Sequence, residues 1–113
     1  MPLLKDVGRS ALAAMPLYAA LVTGSAAQDV HQGGRLAEKY CARCHAVGAT
    51  GVSRHPAAPP FRVIAARGHV DDLQEALAEG ITVGHRDMPE FQFPPDEIVS
   101  FLAYLKSLAP GRR

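Results

Sequence analysis

The sequence predicts an all-α domain of three to five short helices, joined by long loops and wrapped around a core that is not polypeptide. Three observations carry this. Ile98, Phe101, Leu102, Leu105 and Leu108 recur at three- and four-residue steps, the spacing of a helix with one buried stripe. Strand signals are weak throughout. Two loops, Gly48–Pro60 and Val83–Pro95, are longer than the usual connection in a compact domain. Long loops in so short a chain make sense if they enclose something.

The N-terminal stretch has the composition of an export leader. Lys5 and Arg9 supply a positive start, Ala11 to Val22 an apolar run broken by Pro16, and Ser25, Ala26 and Ala27 a small-residue exit. That order is what a signal peptidase reads. Cleavage is expected near Ala27, leaving residues 28–113 as one domain in an oxidising compartment such as the periplasm. The alternative is a retained membrane anchor. The apolar run falls short of the roughly 20 residues needed to span a bilayer.

The helices follow in order. Asp29 caps a first helix, Val30 to Tyr40, in which Gly33 and Gly34 lower helix propensity and so point to close packing. Cys41 to His45 continue as a helical turn. Phe61 to Arg67 form a short helix stopped by Gly68. Asp71 or a neighbour starts another, ending at Glu79 with Gly80 as the stop. The last helix runs from about Asp96 to Leu108.

Composition narrows the function. The formal net charge is +1 and Trp is absent, so no strong field points to nucleic acid. A domain this small buries a limited share of its surface and often needs a covalent staple or cofactor.

The two cysteines sit together as Cys41-Ala42-Arg43-Cys44-His45, the pattern of c-type haem attachment. Two thiols about one helical turn apart can add to the two vinyl groups of a single porphyrin, and the next residue then aims an imidazole at the iron. Three other readings fit the motif less well. A structural zinc site needs about four ligands and usually more cysteines. A redox dithiol expects a βαβ context. A plain disulfide leaves His45 without a role. The expected cofactor is therefore one haem c, covalently attached, with His45 on the iron.

On these residues the chain resembles the small class I monohaem cytochromes c of bacteria, across Gly33 to Leu108. Gly33, eight residues before Cys41, resembles the family's glycine at the crossing of the first and last helices. Tyr104 with Leu105 resembles the aromatic that packs near it. Ala58-Pro59-Pro60-Phe61 is similar to the segment in which a proline carbonyl accepts a hydrogen bond from the ligand histidine, with Pro59 the best match. Asp87-Met88-Pro89 is similar to the distal ligand loop. The resemblance implies the cytochrome c fold, a haem held by His45 and Met88, and electron transfer rather than catalysis.

Met88 also stands on its own composition. Once the leader is removed it is the only methionine, and it lies in a loop of Pro, Gly and polar residues rather than on an apolar helical face. A lone methionine is more often core filler, but Met/His ligation is an established haem pairing that raises the potential. With both axial positions filled by protein, electron transfer is the chemistry that remains. His85, three residues before Met88, is the rival distal ligand, with His55 and His69 behind it; His31 is expected in solvent. Arg62 and Arg67 are candidates for the propionates, because a guanidinium fork matches a carboxylate.

The function expected is that of a periplasmic electron carrier, with transient redox-protein partners (a dehydrogenase, reductase or oxidase) and no small-molecule substrate. It would act as a monomer or as a subunit of a redox complex. Two rivals remain: an electron-accepting subunit of a dehydrogenase complex, and a haem sensor or enzyme in which Met88 is off the iron.

Overall fold

The computed structural model describes residues 14–16, 29–80 and 87–111. The leader boundary near Ala27 and the rival ligand His85 lie outside the described residues. Among the described residues there are helices and no strands: α1 (Val30–Tyr40), α2 (Phe61–Ala66), a 3₁₀ turn (Val70–Asp72), α3 (Leu73–Glu79) and α4 (Pro95–Ser107). None of these helices is long and apolar enough to cross a membrane.

Local chemistry sets the helix ends. The Asp29 carboxylate accepts the Gln32 N–H at 2.9 Å, which satisfies one of the donors a helix start leaves unpaired. Gly80 stops α3 in the left-handed region at φ +75°, and its N–H returns to the Ala76 carbonyl, a conformation that costs a residue with Cβ. Several boundaries differ from the sequence expectation: α2 ends at Ala66 rather than Arg67, and α4 at Ser107 rather than Leu108. α4 begins at Pro95, one residue earlier, because proline is favoured in the first turn, where its missing N–H loses nothing. The third helical segment opens with the 3₁₀ turn, in which Leu73 N–H donates to the carbonyls of Val70 and Asp71.

The core follows from the stripe on α4. Ile98, Phe101, Leu102 and Leu105 are buried, with Ala37, Val47, Phe61, Val70 and Leu77 from the other elements. The most extensive helix contact is α1 against α4. A Cβ on Gly33 would collide with the Ser100 backbone and lie 2.7 Å from the Tyr104 Cβ, and one on Gly34 would lie 3.2 Å from the Tyr104 ring. The two glycines are therefore what lets the helices cross so closely. Tyr104 closes the crossing by donating its hydroxyl to the Val47 carbonyl at 2.6 Å. Lys106 on α4 pairs with Asp71 at 2.5 Å, fixing the 3₁₀ turn beside the last helix.

Candidate haem site

Cys41 to His45 leave the end of α1 as a turn in which the N–H groups of Cys44 and His45 both donate to the Cys41 carbonyl, at 3.2 and 2.9 Å. The following loop folds back onto this turn. His55 N–H donates to the Cys44 carbonyl at 3.1 Å and Phe61 N–H to the Ala46 carbonyl at 2.9 Å, while Ala46 N–H donates to Ser53 Oγ at 3.0 Å. These bonds carry Pro59 to the buried His45, whose Nδ1 donates to the Pro59 carbonyl at 2.7 Å. A carbonyl only accepts, so Nδ1 holds the proton and Nε2 is the nitrogen with a lone pair. The same bond fixes the ring's rotation and would raise the basicity of Nε2 toward a metal.

The turn opens onto a cavity of about 490 Å³, within the ordinary range of cofactor sites. Cys41, Cys44, His45, Pro59 and Met88 all line it. Its walls are apolar: Phe61 and Ile64 from α2, Leu73 and Leu77 from α3, Phe101 and Leu105 from α4, and Phe91 and Phe93 from the segment after Met88. Phe91 and Phe93 stack with parallel rings 5.9 Å apart, and Tyr40 meets Phe93 edge-on at 5.4 Å. The Phe61 ring lies 5.1 Å from that of His45. Such walls favour a large flat apolar group and exclude water.

Lys39, Arg43 and Arg67 also line the cavity. Arg67 thus borders the pocket, whereas Arg62 does not line it, and Arg62 Nη1 is buried without a hydrogen-bond partner. His55 and His69 are not among the lining residues either; they pair with Asp87 at 3.3 Å and with Asp72 at 3.7 Å. His31 is exposed.

Sequence reasoning missed most of the wall. Phe91 and Phe93 stand at alternate positions beside Met88, a pattern that could have flagged them, but nothing local marks Leu73 or Leu77 as pocket residues. It also missed the His55–Asp87 pair.

Cys41 and Cys44 are not joined as a disulfide, which leaves both sulfurs available for attachment. Burial, and then the neighbouring Cys44, push the Cys41 thiol up to about 12. Among the described residues no group of three or more His, Cys, Asp or Glu could hold a bare metal ion. The donor set is instead two thiols, one tautomer-fixed imidazole and one thioether around an apolar space, which fits a covalently bound porphyrin. A single imidazole and thioether are what its iron would need.

The family model described as cytochrome c oxidase, cbb3-type, subunit III matches residues 28–105. No curated protein and no solved structure matches the chain. With the attachment turn, the apolar cavity and the helical fold already in place, the match shows that the chain belongs to this family of c-type cytochrome domains and is a small monohaem cytochrome c, a haem-binding electron-transfer protein.

Proposed function

We propose that this cytochrome is an exported, periplasmic electron carrier whose iron is ligated by His45 Nε2 and Met88 Sδ. The observation that carries the reading is that the paired thiols, His45 with its Nδ1 committed to Pro59, and Met88 all border one apolar cavity. When bound, haem c supplies a one-electron Fe(III)/Fe(II) couple.

The chain's own residues do the rest. Cys41 and Cys44 hold the group as thioethers. His45 and Met88 would both hold its iron, and a small ligand would bind only where it displaced one of them. Phe61, Phe101, Leu105 and Ile64 keep water off. Arg67, at the cavity wall, supplies a cation for a propionate. No group in this arrangement is assigned a catalytic step, and redox proteins are the partners the reading requires. Weak electron-transfer encounters use small interfaces, and the near-neutral charge of the chain favours docking with modest salt dependence. The family description names an oxidase subunit. That favours an oxidase as the class of acceptor, and it supports a second reading as a subunit held within such a complex.

The test uses protein matured in a host with haem-attachment machinery. Expected are one attached haem by mass spectrometry, a mature N-terminus near residue 28, and the ferric band of Met-ligated haem at about 695 nm. Met88→Ala should abolish that band and admit carbon monoxide to the ferrous protein. A wild-type protein that lacks the band and binds carbon monoxide sinks the His/Met reading.

A further inference from the structure

His55 lies in the loop behind the attachment turn, and its contacts reach two separate loops. Its backbone N–H donates to the Cys44 carbonyl and its carbonyl accepts the Ala58 N–H, both at 3.1 Å. Its Nδ1 accepts the Ala57 N–H at 3.0 Å. A ring nitrogen that accepts carries no proton, so the proton of the neutral imidazole resides on Nε2. That nitrogen lies 3.3 Å from Asp87 Oδ2. Asp87 directly precedes Met88. The imidazole is the better covered of the two side chains, 29% exposed against 63% for Asp87. It is thus seated on its own loop and reaches out to hold the next one. The far end of the Met88 segment is tied separately, by Phe93 N–H to the Leu77 carbonyl at 2.9 Å and by Gln92 Nε2 to the Ala78 carbonyl at 3.1 Å.

We propose that His55 is a positioning residue for Met88: by donating Nε2–H to the Asp87 carboxylate, it clasps the Met88 loop to the haem-attachment loop. The inference rests on Met88 being the distal ligand. It requires no charged imidazole, because the neutral ring already carries its proton on the nitrogen that faces Asp87. Its effect is on the equilibrium between a seated and a swung-out Met88, and so on how readily another ligand displaces the thioether.

Free imidazole competes with Met88 for ferric iron, so its affinity for the holoprotein reads that equilibrium. His55→Ala and Asp87→Ala are each expected to raise imidazole affinity about fivefold, the factor supplied by one hydrogen bond to a carboxylate largely screened by solvent. The double variant should rise no further than either single, since all three lack the same contact. Asp87→Asn, whose amide oxygen still accepts Nε2–H, should stay near wild type. Should His55→Ala fail to mature, the contrast between Asp87→Ala and Asp87→Asn carries the test on an exposed residue. Unchanged affinities in the single variants, or effects that multiply in the double, overturn the clasp while the Met-ligation band of the wild type leaves Met88 in place. Absence of that band from the wild type overturns the ligand assignment and the clasp with it.

Discussion

Tyr104 holds the helix crossing through one hydroxyl, and its ionisation is opposed there. Burial, and then the charge of Glu38, push its phenol above the ordinary tyrosine value of 10.0. For an acid raised in the folded state, the unfolded chain loses its proton first as pH rises. The contribution of Tyr104 to stability is therefore complete below pH 10 and is lost as the solution becomes more alkaline. Tyr104→Phe leaves the Val47 carbonyl without this donor and should cost about 1 kcal/mol at neutral pH. The variant's stability should also fall less steeply than wild type above pH 10, as thermal melts of the holoprotein at the two pH values would show. Other single residues differ in how plainly the sequence announced them. Cys41, Cys44 and His45 are adjacent, so one short motif exposes all three. The role of Pro59 depends on a loop folding back across fourteen positions to reach His45, and only the resemblance to a family suggested it. His55 and Asp87 stand far apart in sequence and carry no local pattern, and their pairing is purely tertiary.

At the scale of elements, the α1–α4 crossing is the least tolerant feature. A methyl group at Gly33 has backbone on its far side, the Ser100 carbonyl, and backbone cannot rotate away as a flexible side chain would. Gly33→Ala should therefore cost about 2–3 kcal/mol through forced separation of the helices, read as a lowered thermal midpoint of the holoprotein. Ala37→Gly, one turn along the same helix, should cost about 1 kcal/mol from propensity alone, plus the loss of a fully buried methyl, with no steric signature. The helices were legible because each carries its own evidence: the Asp29 cap for α1, the Gly80 stop for α3 and the apolar stripe for α4. The 3₁₀ opening of the third segment was not, because Val70 to Asp72 carry no pattern that separates a tight turn from the first turn of an α-helix. The shift at Pro95 is of the same kind, since a proline marks both the end of a loop and the start of a helix.

For the whole molecule, the apolar cavity is a demand as much as a site. Its walls draw on α2, α3, α4 and the Met88 segment, so without the cofactor these elements would face empty space or water rather than one another. Empty space in a packed interior forfeits contacts on every side that lines it. A Cys41→Ala, Cys44→Ala chain, unable to attach haem, is expected to lose cooperative thermal unfolding and fixed near-ultraviolet dichroism while keeping some helix. A sharp two-state melt of that colourless chain would contradict this dependence. Why the chain needs such a filler was legible in its size and its long loops, whereas which side chains form the walls was not, because they come together only through the packing of distant segments.

The pairing of α1 with α4 has a consequence for how the protein is made. Most of the pocket sequence lies between these two helices, so the contact that locks the fold joins distant parts of the chain, and closing it is the slow, entropically opposed step. The attachment cysteines directly follow α1. Their thiols thus become available while the closing helix is still unpaired, in a pliant chain that a ligating enzyme could grip from either side. This topology predicts an order for maturation: the haem attached while the door is open, and the last helix shutting it.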